Sequence, residues 1–149
     1  MCIRDSPKDA VAPAMNESND ILNCKIAEYA LAICKDRPCF HVSLICDVSP
    51  NCDCHSENDR PIIPDVGMLA SFDPVALDMA CADLCNQQPV MPNSVLGENL
   101  SEHEHCQEHD HCEEHDHFYY NHPETNWRSC IGHAVKLGLG TDQYELIEI

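Results

Sequence analysis

Between Ser49 and Asp59 the sequence places Cys52, Cys54 and His55 among Asp53, Glu57 and Asp59. Thiolate sulfur is a soft ligand suited to zinc, iron–sulfur clusters and cuprous copper. In Cys-x-Cys both side chains leave an extended backbone on the same face, so the pair can reach one metal or one cluster edge without a helix. A tetrahedral ion wants about four ligands. His55, Asp59, Asp65 or a group outside the chain are the available completions. The competing reading is a polar turn that happens to hold two thiols, since Cys-x-Cys is a weaker signal than paired Cys-x-x-Cys.

A second constellation lies further on. His103-Glu104-His105-Cys106-Gln107-Glu108 recurs as His109-Asp110-His111-Cys112-Glu113-Glu114, and His115-Asp116-His117 ends the run. Six histidines and two cysteines in 15 residues can hold divalent transition metals such as zinc or nickel in many arrangements. In a helical form, His105 with His109 and His111 with His115 would stand one turn apart. The interleaved acids make the tract, about 99–120, a solvated and disordered insert in the absence of metal. Low-complexity tracts of this kind also expand easily in loops, which is the plain alternative to a selected role.

The elements that would position these residues follow from periodicity. A helix is expected from about Ile21 to Lys35, with Leu22, Ile26, Tyr29, Ala30 and Ile33 on its apolar face and Asn19 or Asp20 as cap. Cys24 and Cys34 read there as small packing residues. Phe40 to Val48 alternates: Phe40, Val42, Leu44, Cys46 and Val48 face one way, as the better-buried face, and His41, Ser43 and Asp47 the other. The Cys52 loop hangs from the end of that strand, where open α/β sheets gather ligands. Val66 to Ala70 reads as a buried strand. Asp73-Pro74 opens a helix through about Gln87, with Asp73 as N-cap and Pro74 where its missing N–H costs nothing. That cap is a sufficient reason for Asp73. Gln88 to Leu100 reads as a loop. Thr125 or Asn126 starts a last helix, with Trp127, Ile131, Ala134 and Val135 inward and Gly138 at its end. Tyr144 to Ile149 reads as a closing strand. The order points to an α/β fold: a small, mostly parallel sheet with packed helices. Residues 1–20 show no usable pattern and read as a disordered or foreign leader to a single domain, 21–149.

Composition excludes several classes. A net charge of −18, with eight Lys and Arg spread over 149 residues, argues against nucleic acid and against an anionic membrane surface. No apolar run approaches the roughly 18 residues that span a bilayer. The N-terminus lacks the plan of a signal peptide. A reducing compartment follows, in which twelve cysteines read as packing residues and metal ligands, not disulfides. There is no nucleotide-binding glycine loop, no Gly-x-Ser-x-Gly, no His-Glu-x-x-His and no ferredoxin cysteine run. No nucleophile meets a base, so no catalytic residue is assigned.

With these residues laid out, the chain resembles the C-terminal part of the uncharacterised Fe–S centre proteins, the family called domain of unknown function 362. The resemblance is carried by Ser49-Pro50-Asn51-Cys52-Asp53-Cys54, by Pro61-Ile62-Ile63-Pro64-Asp65-Val66-Gly67 and by Ala70-Ser71-Phe72-Asp73-Pro74-Val75-Ala76-Leu77-Asp78 with Asp83-Leu84. It resumes at Trp127, Gly138-Leu139-Gly140 and Tyr144-Glu145-Leu146-Ile147. It implies a cytoplasmic prokaryotic protein and an iron–sulfur cofactor, with Cys52 and Cys54 as ligands and a redox partner. Longer relatives carry an upstream α/β segment and a ferredoxin-type insert. This chain lacks both, which implies an incomplete domain whose Phe40–Val48 edge is open. The leading expectation is therefore an iron–sulfur-associated redox protein, or a fragment of one. The alternative is zinc or nickel buffering or delivery through the His-rich tract. The plainest reading is an α/β remnant without independent activity.

Overall fold

The computed structural model describes residues 18–52, 55, 58–104 and 116–149, leaving aside the side chains of 103 and 104. Helix α1 spans Asn19–Cys34, strand β1 His41–Ile45 and strand β2 Gly67–Ser71. They are followed by α2 (Pro74–Asn86), α3 (Val95–Glu104), α4 (His117–Asn121) and α5 (Trp127–Leu137).

The strands pair antiparallel, with His41 opposite Ser71 and Ile45 opposite Gly67. The expectation of a mostly parallel sheet is therefore corrected. A parallel return needs a crossover that carries the chain back over the sheet, usually a helix. The described residues between the strands instead fold back beside β1. The Ile62 N–H donates to the Val48 carbonyl (2.8 Å) and the Val66 N–H to the Ile45 carbonyl (2.9 Å), which delivers β2 in the opposite direction.

The burial of β1 is the reverse of the expected one. Ile45 is buried and His41 and Ser43 are half-buried on the side facing α2, while Phe40, Val42 and Leu44 are exposed. Met68 and Phe72 continue this open apolar face, and the Phe40 and Phe72 rings meet at 5.0 Å. Alternation separates two faces but does not say which one is covered; here α2 covers the less apolar one.

Helix α1 shows the same inversion. Ser18, just before the expected caps Asn19 and Asp20, accepts the Ile21 N–H. The expected apolar face is largely open, with Leu22, Ile26, Tyr29 and Ile33 exposed. The helix docks on α5 through the small residue Ala27, its one buried position.

The main core joins Ile45, Ile62, Ile63, Cys85 and Leu96, with Leu69, Leu84, Leu100 and Phe118 around them. The Pro61–Pro64 segment thus delivers two isoleucines to the interior. The expected loop over Gln88–Leu100 holds the start of α3. Ser94 is fully buried, and its hydroxyl accepts the Gly97 N–H (3.2 Å). Leu96 and Leu100, one turn apart, both join the core. A second cluster joins Ala27, Val75 and Ala134. Helix α5 ends at Gly138 in a left-handed conformation (φ 75°), as its sequence predicts, while the Asn126 side chain makes no capping bond. Tyr144–Ile149 forms no strand and lies exposed. No described strand stands beside it to pair with, and Tyr144 instead donates its hydroxyl to Asp83 (2.7 Å).

Candidate metal centre

Helix α1 runs out at Cys34 because the chain must turn. The Lys35 N–H still bonds to Leu31 (2.8 Å), Asp36 takes a left-handed φ of 58°, and the Arg37 N–H reaches back to the Cys34 carbonyl (3.2 Å). Pro38 cannot continue a helix. Cys39 follows, and His41 opens β1 on the covered face. The turn brings one ligand atom each from Cys34, Cys39 and His41 within 4.8 Å of one another, with all three residues half-buried. The Cys39 sulfur lies 4.0 Å from the Cys34 carbonyl oxygen.

Two observations bear on what this cluster can hold. The His41 Nε2 is buried and has no hydrogen-bond partner. An unsatisfied buried polar atom costs on the order of 1–3 kcal/mol, and a metal ion would satisfy it. The Cys34 thiol titrates above its ordinary value, because desolvation and then the neighbouring Cys39 thiol disfavour its thiolate. Without metal, a second thiolate there is disfavoured, and an incoming cation would displace protons. Desolvation also raises the Asp78 carboxyl, an effect that nearby His41 offsets in part. Two thiols and an imidazole can therefore hold a metal ion, in a donor set that suits a thiophilic one.

The residues singled out from the sequence fall elsewhere. Cys52 and His55 are exposed, and the His55 N–H donates to the Cys52 carbonyl (2.8 Å), closing a tight turn. Cys54 lies outside the described residues. The base of this loop is anchored, since Asn121 and His122 side chains both contact the Pro50 carbonyl (2.6 and 2.7 Å). Asp65, a possible completing ligand, accepts the Asp47 N–H (2.9 Å). Asp73 caps α2 as expected.

Of the His-rich tract, His103 sits on the last turn of α3, and His105, Cys106, His109, His111, Cys112 and His115 lie outside the described residues. His117 is held apart from any solvated tract. It is buried, its N–H donates to Asn86 Oδ1 (2.9 Å), and its ring Nε2 faces the Gln88 carbonyl (2.9 Å).

Reading Cys34 as packing and His41 as the polar side of a strand missed the cluster. The signal was present as Cys34-x-x-x-x-Cys39-x-His41, broken by Arg37-Pro38, which forces the turn that closes it. The described cysteines form no disulfide. No helix among the described residues is long and apolar enough to cross a membrane.

A family model described as domain of unknown function (DUF362) matches residues 2–83, more than half of the chain. That span includes Cys34, Cys39, His41 and the Cys52 loop. Among curated proteins and among solved structures no match is found.

Proposed function

Because the chain belongs to the family described as domain of unknown function (DUF362), whose description names no chemistry, we propose from local geometry that it is a transition-metal-binding protein centred on Cys34, Cys39 and His41. The convergence of these three ligand atoms within 4.8 Å carries the reading. In a tetrahedral zinc site with arms of about 2.0–2.3 Å, ligand atoms stand about 3.5–3.8 Å apart. The observed limit is one small contraction away from that. In a cubane iron–sulfur cluster each thiolate binds a different iron, which separates the sulfurs further. The spacing therefore favours a single thiophilic ion such as zinc, with a fourth position left for solvent or another ligand. The three residues bind and orient the ion, and the ion supplies a Lewis acid. No substrate or reaction is assigned.

Protein purified anaerobically, without a metal-affinity column, tests this by elemental analysis and by competition for zinc with a chromophoric chelator. One tight zinc equivalent is expected. Its affinity should fall by about 100-fold or more in the Cys34→Ser/Cys39→Ser double variant, more than loss of an outer-shell partner does. It should persist when residues 105–115 are replaced by a Gly-Ser linker. Undiminished affinity in the double variant refutes the assignment. Iron with matching sulfide, lost on Cys52→Ser, would move the centre to the Cys52 loop. Tight binding lost with the linker alone would move it to the His-rich tract.

A further inference from the structure

A cavity of about 390 Å³ opens between β1, α2 and α5, apart from the thiol–imidazole cluster. Ile45 forms its strand wall, Cys81 and Cys85 its α2 wall, and Trp127 and Cys130 its α5 wall, with Phe118 at one end. We propose that this cavity binds a small uncharged aromatic molecule carrying one hydrogen-bond donor.

The size is right for such a ligand. A dry cavity of about 150 Å³ suffices for benzene, so this one has room for two fused rings with a ring substituent, and it lies within the range of about 300–1,000 Å³ typical of ligand sites. The walls select against other chemistries. Burial pushes the Cys85 thiol up to about 11 and raises Cys81 and Cys130 as well. At neutral pH these thiols are protonated, so they act as polarizable apolar surface that packs well on rings. They are poor nucleophiles and poor metal ligands in that state.

The polar groups at the cavity are few and mostly engaged. The Asn23 amide donates to the Asn126 carbonyl (2.7 Å) and to Ser129 Oγ (2.9 Å). The Trp127 indole N–H donates to Asp116 Oδ2 (3.0 Å). The Ser43 side chain stands against the Cys81 thiol, and the Asp78 carboxyl, on an exposed residue of the lining, remains as an acceptor. An acceptor in an apolar wall recognises a ligand's N–H or O–H. The same carboxyl, together with the net charge of −18, disfavours anions.

N-phenyl-1-naphthylamine is a suitable probe, being uncharged, two-ringed with a pendant phenyl, and furnished with one N–H. Trp127 is the single tryptophan, so binding in the cavity quenches a unique emitter. Saturable one-to-one binding with Trp127 quenching is expected. Cys130→Phe, which fills the cavity, should weaken it by at least about tenfold, as loss of the site requires. Asp78→Ala should weaken this probe several-fold while leaving naphthalene, which has no donor, unchanged. Val42→Lys/Met68→Lys, on the open sheet face, should bind as the parent does. Absence of saturable binding to the parent protein overturns the proposal. So does binding lost in the sheet-face variant and retained in Cys130→Phe. Circular dichroism checks that each variant folds; if Cys130→Phe does not, the Asp78→Ala and sheet-face comparisons decide. The cavity walls and the Cys130→Phe test do not depend on the metal reading, although the Asp78 carboxyl also stands near His41.

Discussion

Replacing Leu96 with alanine is expected to destabilise the protein by about 3 kcal/mol, within the range of about 2–5 kcal/mol found for buried leucines. Leu96 is fully inaccessible to solvent and joins α3 to Ile63 and Cys85. The site has little room to collapse. A Cβ on the adjacent Gly97 would already stand 3.2 Å from the Met91 carbonyl oxygen, so α3 is pressed against the preceding loop. The vacated volume therefore stays open, and the lost contacts are not replaced. Urea unfolding followed by circular dichroism measures the change. Leu44→Ala is the contrast, because that leucine is 67% exposed and its truncation should cost about 0.5 kcal/mol or less. Equal losses at the two positions would show that α3 does not dock as described.

The second large effect is expected at Asp73. One carboxylate oxygen accepts the Val75 and Ala76 N–H groups (2.9 and 3.0 Å), and the other accepts the Thr141 N–H (2.9 Å). The residue caps α2 and also ties that helix to the chain beyond α5. Loss of an N-cap costs about 1 kcal/mol, and a hydrogen bond to a charged group contributes about 1.5–3 kcal/mol when buried, less where it is exposed as at Thr141. Asp73→Ala should therefore cost about 2–3 kcal/mol. Asp73→Asn keeps one acceptor oxygen and should recover about half of that. Gly140 offers a second way to break the link, since a Cβ there would run into the Asp73 carboxylate. Thermal unfolding of Asp73→Ala, Gly140→Ala and the double variant makes the test. If the two act through one contact, the double variant loses less than the sum of the singles.

Local chemistry was legible in the sequence where it acts within a few residues. Asp73-Pro74 sets the start of α2 because both a side-chain acceptor and a residue without N–H suit the first turn. Gly138 ends α5 because its left-handed φ suits glycine. Strand β2 and the α1 interval were placed within one or two residues. What was not legible depends on which surfaces meet. The alternation expected over Phe40–Val48 holds as two faces where the strand forms, at His41–Ile45, and breaks beyond it, where Val48 packs against the core; only α2's position decides that His41, Ser43 and Ile45 are the covered ones. The parallel sheet failed because strand direction is fixed by the path of residues 46–66, which carries no periodic signal. Helix α3 was hidden by Pro89 and Pro92, whose loop ends at Ser94. The Cys52 loop drew attention by its density of ligating residues. The centre at Cys34, Cys39 and His41 forms across a helix end and a strand start, and a turn has to be drawn before its three members can be seen as neighbours.

That placement at the end of α1 bears on how the molecule opens. With Ala27 as its one buried residue, α1 lies along α5 over a contact that buries little apolar surface and is held in part by polar links from Asn23 to Asn126 and Ser129 and from Glu28 to His133, whereas α2 buries six residues. Regions with little buried apolar contact open locally at a fraction of the global free energy. The helix is therefore expected to open as a unit about the turn that follows Cys34. An ion held by Cys34, Cys39 and His41 as proposed would tie that turn to the sheet. At a hundredfold excess over its dissociation constant, an ion that binds only the closed form adds about 2.7 kcal/mol to the free energy of opening. Metal occupancy would then clamp motion: hydrogen exchange is expected to show the backbone amides of α1 slowed about a hundredfold when the centre is filled, with those of α2 barely changed.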